Sequence, residues 1–252
     1  MASNLPPAIF SAARKFARAR RARMLQRRGD AADWLPVALV EDALERIEFM
    51  RLAPDRALVI GAGGDELGRV LERKGARVTV AEPGAIDLEA PYPAGGYGLI
   101  VSLGALDTVN DLPGALIHQR VALGEGGVMI ASMVGAGSLP RLRSALLAAD
   151  GERPAARLHP AVDARSGAGL LQRAGFKRQV ADSWTLRLRY GSLDTLIADL
   201  RSQGLTSALS DSAPPLTRSG LERARAAFLE DADRHGRVVE TLEILTMTGW
   251  HD

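Results

Sequence analysis

Two hydrophobic rhythms alternate along the middle of the chain. Short apolar runs, Ala57-Leu58-Val59-Ile60, Ala76 to Ala81, Tyr97 to Ser102 and Val128 to Ser132, each sit between glycine, proline or charged positions and read as buried strands. Between them apolar residues recur at helical spacing. Leu67, Val70 and Leu71 share one side of a helix opened by Asp65, and Leu139, Leu142 and Leu146 share a face of a helix begun at Ser138. Asp111 is placed to cap a third helix, with Pro113 tolerated in its first turn. Upstream, Pro36 starts a helix with Val37, Val40, Leu44 and Ile47 in register, and Asp42 lies four residues before Arg46, a favourable pair. Strand alternating with helix predicts an α/β fold with a mostly parallel sheet covered on both faces.

Past residue 150 the rhythm changes. Residues 151–163 read as loop, Ala164–Ala174 as a helix ended by Gly175, and Arg178–Asp182 and Thr185–Tyr190 as strands. Helices are predicted over Leu193–Gln203 and Arg218–Arg234, around a polar, proline-containing loop at 206–217, before a closing strand at Val238–Met247. The division that follows is a basic arm over 1–30 and a domain over 31–252, with a helical insertion at about 191–236.

Charge changes the picture at one end only. The 252 residues carry a net charge of +2, yet residues 1–30 hold eight Arg or Lys against one acid, so the arm is +7 and the remainder −5. Three readings of the helix-prone stretch 10–28 stand side by side: a solvated helical face, a docking arm for an acidic protein or anionic surface, and an organelle leader. The leader is the weakest, because the run leads into a helix without a cleavage context. No nucleic-acid reading module accompanies the basic residues, so a specific nucleic acid is not expected. The chain has no cysteine, which removes disulfides and thiolate metal sites, and four scattered histidines without a helical pair predict no metal centre. No apolar run reaches the roughly 18–20 residues of a membrane span, leaving peripheral membrane contact as the only expected kind.

Candidate chemistry begins at Gly61-Ala62-Gly63-Gly64, a glycine turn between strand and helix where bare N–H groups can approach a ligand. Glu82 ends the next strand about twenty residues on, the spacing that sets an acid beside a nucleotide ribose. Asp107 follows the third strand and reads as a solvated loop acid or a substrate-side acid. Asn110 and Asp111 read first as turn and cap, and His118 as packed within its helix. A nicotinamide site is disfavoured, since Glu66 occupies the last glycine of that fingerprint.

With these segments placed, VNDLPGAL at 109–116, LLQRAGF at 170–176, Asp199-Leu200-Arg201 and the ending EILTMTGW at 243–250 resemble class I S-adenosylmethionine-dependent methyltransferases. The resemblance is to the branch holding the methyltransferase-like assembly factors of respiratory complex I, with malonyl-carrier-protein methyltransferases of biotin synthesis as wider cousins. It implies a Rossmann-like, seven-stranded sheet whose last strand is antiparallel. It also implies a cofactor, S-adenosylmethionine, held by Gly61 and Gly63 at the first turn, by Glu82 at the ribose and by Asp87 at the adenine. Arginine hydroxylation on a complex I subunit, or methyl transfer, is the associated chemistry, and a complex I subunit the implied partner.

Three departures from that pattern predict an eroded cofactor site. Val59 stands where the family carries an acid two residues before the first glycine, and Asp65 replaces the third glycine, reading as a helix cap whose charge faces the cofactor carboxylate. Only four residues separate Glu82 from Asp87, too few for the family's crossover, so the third, edge strand is expected to be missing. Two functions remain in competition: a methyltransferase-like enzyme whose catalytic residues the sequence does not name, and a catalytically inactive assembly or binding module that has lost the cofactor. The expected location is a bacterial cytoplasm, with a mitochondrial matrix protein as the alternative.

Overall fold

A computed structural model describes residues 8–82 and 85–252. The basic N-terminal stretch forms α1 (Ala12–Gln26), capped by Ser11, and α2 (Trp34–Phe49) precedes the first strand. Then come β1 (Arg56–Gly61), α3 (Gly64–Arg73), β2 (Arg77–Ala81) and β3 (Tyr97–Leu103). A 3-10 turn at Leu106–Thr108 leads to α4 (Leu112–Ala122), β4 (Leu123–Val134) and α5 (Pro140–Asp150). The C-terminal part is α6 (Ala164–Arg173), β5 (Lys177–Tyr190), α7 (Leu193–Ser202), α8 (Arg218–Phe228) and β6 (Val238–His251).

The strands form one six-stranded sheet in the order β2-β1-β3-β4-β6-β5. β2, β1, β3 and β4 are mutually parallel, while β6 runs antiparallel to both β4 and β5. Odd residues of β1 and β3 (Ala57, Val59, Leu99, Val101) pack with α2, α3, α5 and α7; even ones (Leu58, Ile60, Ile100) pack with α4 and α6. Burial on both faces is why these strands read as unbroken apolar runs. The parallel strands place Gly61, Ala81, Leu103 and Val134 at one end of the sheet, where α/β folds bind ligands.

β2 is the edge of the sheet, as the short Glu82–Asp87 connection predicts. Among the described residues of the 82–96 connection there are turns but no helix or strand, and Ile86, Leu88 and Tyr92 pack against the α4 and α6 side of the core. Asp111 caps α4 as expected, its carboxylate accepting from Gly114 N at 2.9 Å.

Boundaries shift in the C-terminal part for tertiary reasons. The two short strands predicted at 178–190 are one strand, because β5 pairs along β6 from Val180↔Thr248 to Tyr190↔Val238. Asp182, in the unpromising middle of that strand, receives a two-pronged guanidinium from Arg46 at 2.6 and 2.9 Å. α8 stops at Phe228 rather than Arg234, since the Asp233 carboxylate draws His235 N and Arg237 N into a turn at 2.8 and 3.0 Å.

Candidate functional site

At the carboxyl end of the parallel strands the glycine turn is folded hard against β3. Ala62 N donates to Leu103 O at 3.1 Å, and a Cβ on Gly61 would stand 2.0 Å from that same oxygen at φ +110°. Gly63, the N-cap of α3, has φ +78°, and a Cβ there would meet Val40 Cγ2 at 2.7 Å and Pro36 O at 3.2 Å. Neither position accepts a side chain in this geometry. The first-turn N–H groups of α3, without intrahelical acceptors by construction, emerge beside this turn.

A cavity of about 710 Å³ opens over the turn. Its floor is Ala62, Gly63 and Gly104 at the tips of β1 and β3, and Glu82 stands at the tip of β2. One wall is α2, through Pro36, Val40 and Leu44; the opposite wall is α1, through Arg18, Ala19, Ala22, Arg23 and Gln26. Arg23 Nη1 donates to Glu82 Oε2 at 2.5 Å, and Gln26 Nε2 donates to Ser202 O at 3.0 Å and Ala32 O at 2.8 Å. α1 thus stands over the strand tips and reaches the edge strand β2 through Glu82.

The predicted residues separate here. Gly63 and Glu82 line the cavity, and Gly61 forms the turn beneath without lining it. Asp87 lies outside the lining; its carboxylate accepts from Glu89 N at 3.0 Å and closes a turn. Asp65 is exposed and points out of the cavity, so the predicted confrontation with a bound carboxylate is not set up. Glu66 is the first-turn acid on the lining, and it pairs with Arg69 at 2.7 Å. Val59 is fully buried and only packs, as expected.

A narrower space of about 100 Å³ adjoins, with Arg18 on both linings. Asp107 lies on it, and contrary to the solvated alternative it is partly buried: desolvation pushes its carboxyl up to about 6. Val134 N donates to Asp107 Oδ1 at 2.8 Å and the Arg18 charge opposes the shift. Arg18 in turn donates to Thr108 Oγ1 at 2.9 Å and Thr206 O at 3.2 Å, and burial lowers its own affinity for the proton. His159, on the far side, is held neutral by burial and then by Arg18, with its pKa lowered to about 4; its Nε2 accepts from Ala208 N at 2.7 Å. Arg143, Arg157 and His159 continue into an outer cleft of about 680 Å³. The three spaces run in series, from the glycine turn past Asp107 to the surface.

Asn110 clamps the start of α1 rather than making a turn: Phe10 N donates to its Oδ1 at 2.8 Å, and its Nδ2 donates to Phe10 O at 3.2 Å. Nothing local distinguishes Arg18 and Arg23 among the arm's seven arginines, or His159 among four scattered histidines. The only local hint for the arginines is that residues 15, 18, 19, 22, 23 and 26 fall on one face of a helix. Among the described residues no group of three or more His, Cys, Asp or Glu side chains is placed to hold a metal ion, and no helix is long and apolar enough to cross a membrane.

Comparison with known proteins fits this geometry. The model of a methyltransferase domain family matches residues 15–179, more than half of the chain. The malonyl-[acyl-carrier protein] O-methyltransferase of Halorhodospira halophila is 32% identical over 238 residues, covering 82% of this chain and 78% of that protein. The mitochondrial arginine-hydroxylase NDUFAF5 of Rattus norvegicus is 30% identical over 168 residues, covering 64% of this chain and 49% of its own length. The chain therefore spans about half the length of the NDUFAF5 relatives it matches. Among solved structures, the 1,6-didemethyltoxoflavin-N1-methyltransferase of Burkholderia thailandensis, with bound 1,6-didemethyltoxoflavin and S-adenosylhomocysteine, superposes with a TM-score of 0.52 at 17% identity over 97% of this chain and 93% of that one. Sheet order, glycine turn and the match from α1 into β5 agree, and the chain belongs to the methyltransferase domain family, on a class I S-adenosylmethionine-dependent methyltransferase fold.

Proposed function

We propose that the protein binds S-adenosylmethionine in the cavity between α1, α2 and the strand tips, and acts on an acceptor carried by a protein, in the assembly or modification of respiratory complex I. One observation carries this reading: the cavity of about 710 Å³ keeps Gly63 beneath it and Glu82 beside it although the edge strand is gone. That volume lies in the range of small-molecule sites, roughly 300–1,000 Å³. Residues and ligand fit: the first-turn amides of α3 suit the anionic end of the methionine part, and Glu82 suits ribose hydroxyls. When bound, S-adenosylmethionine supplies a methyl group on a positively charged sulfur.

The chain's own residues do the rest. α1 and α2 exclude water from two sides of the cavity, and the partly buried Arg18 and Asp107 face the narrow space through which an acceptor would arrive. Holding the two reactants in line supplies much of the acceleration in such reactions. Asp107, with a pKa pushed up to about 6 by burial, is poised to orient an N–H or O–H acceptor and take its proton. The complex I role draws on the resemblance to NDUFAF5, whose matched relatives are mitochondrial. The proposed site of action is a bacterial cytoplasm, drawn from the lack of cysteine and of membrane-spanning runs, with the mitochondrial matrix as the alternative.

A second reading, an inactive module of the same fold, draws on the Arg23–Glu82 pair, which occupies the carboxylate the ribose would use. Titration calorimetry with S-adenosylmethionine separates the two. Binding at one site, with about 2.7 kcal/mol of stabilisation at a hundredfold excess over Kd, supports the first. Neither heat nor a thermal shift at millimolar ligand overturns it in favour of the second.

A further inference from the structure

α1 has two faces, and the cavity explains only one. Exposed positions along it, Ala12, Ala13, Phe16, Ala17, Arg20, Arg21 and Met24, recur at helical spacing and point away from the body of the protein. Phe16 and Met24 are 64% and 60% exposed, large apolar groups left in solvent. At 100° per residue Ala13, Ala17 and Met24 form a narrow apolar strip between Arg20 and Arg21, and Phe16 stands about 40° beyond Arg20, so Arg20 lies within the exposed apolar face. Arg27 and Arg28 are exposed at its C-terminal end. Among the described residues the side chains of these four arginines make no ion pair, whereas Arg23 and Lys15 on the inner side are paired to Glu82 and Glu89.

We infer that the outer face of α1 docks on an anionic lipid surface, lying flat with the apolar strip dipped among the headgroups and the arginines reaching phosphates on either side. Three observations select lipid over a protein partner. No acid interrupts residues 8–29, so the face carries one sign of charge and no mixed pattern for a partner to read. The face is a convex single helix, and arginines flanking a shallow apolar strip suit a plane. The remaining 222 residues sum to −5 and turn the rest of the molecule away from such a surface. The inference is independent of whether the cavity holds a cofactor.

Co-sedimentation of the full chain with vesicles tests it. The protein is expected to pellet with phosphatidylcholine vesicles containing phosphatidylglycerol, to stay in solution with phosphatidylcholine alone, and to be released by salt. Each of Arg20→Gln, Arg21→Gln, Arg27→Gln and Arg28→Gln should lower the partition coefficient about fivefold. Phe16→Ser with Met24→Ser should lower it further, and the control Arg73→Gln on α3 should leave it unchanged. Circular dichroism identifies any variant that fails to fold. Absence of binding to anionic vesicles, equal loss in Arg73→Gln, or indifference to the Phe16 and Met24 changes overturns the inference. So does binding to an acidic polypeptide such as polyglutamate without binding to vesicles.

Discussion

Arg23 on α1 and Glu82 at the tip of β2 meet at 2.5 Å although 59 positions separate them. Their contact ties the N-terminal helix to the carboxyl tip of the edge strand β2. Both side chains are about half exposed or more, so the pair itself contributes only about 0–1 kcal/mol. Its consequence is local: the Arg23 guanidinium occupies the carboxylate that the proposed ribose contact would use.

The two partners are therefore expected to respond unequally. Glu82→Ala should weaken S-adenosylmethionine binding tenfold or more, while Arg23→Ala should leave binding undiminished, and both should keep stability within about 1 kcal/mol. Calorimetry and urea unfolding of the two variants check this.

Gly61→Ala should cost about 3 kcal/mol or more, since the new methyl would sit 2.0 Å from a backbone oxygen at a φ of +110°. Gly63→Ala should cost about 1–3 kcal/mol, because φ +78° is nearer the left-handed region and Val40 is a side chain that can shift. Urea denaturation measures both, and equal small losses would contradict the turn geometry.

Asp107 predicts a pH signature. Its carboxyl is raised from 3.8 to about 6 in the folded state, so the folded protein holds that proton more tightly than the unfolded chain. Its contribution is fully present below about pH 4 and is lost as pH rises through about 6, by up to about 3 kcal/mol. Asp107→Asn, whose amide oxygen can still accept from Val134 N, should be more stable than the parent above pH 6. The difference between the two proteins should vanish near pH 4. Unfolding free energies across pH 4–8 test the sign.

Much of the architecture was legible because both faces of the central strands are buried, leaving unbroken apolar runs at β1, β3 and β4. Asp111 and Gly175 marked helix ends through local chemistry, and the missing edge strand followed from counting residues between Glu82 and Asp87. What escaped depends on distant partners. β5 continues through Asp182 because β6 and Arg46 hold it there, and no local propensity says so. Asp65 read as a helix cap, but Gly63 is the N-cap of α3 and no side chain caps it; Asp65 is an exposed first-turn acid, and its neighbour Glu66 reaches the lining. Asp107 read first as a solvated loop acid; distant partners, Arg18 at 89 positions and Val134 N, hold it partly buried.

α1 makes mostly polar contacts with the body, and none of its own residues is fully buried. Deleting residues 1–30 also removes Phe10, buried against Ala208 and Leu209; the sheet should stay folded with the 206–217 loop loosened, while S-adenosylmethionine binding falls tenfold or more. Unchanged affinity in the truncated protein would show that α1 is not a wall of the site.

A crystal structure of the full chain saturated with S-adenosylhomocysteine decides whether the cavity is the cofactor site. The nucleoside is expected between α1 and α2, its ribose hydroxyls donating to Glu82 and its amino-acid end over Gly63. An empty cavity at saturating ligand, with Arg23 still closed on Glu82, would contradict that placement.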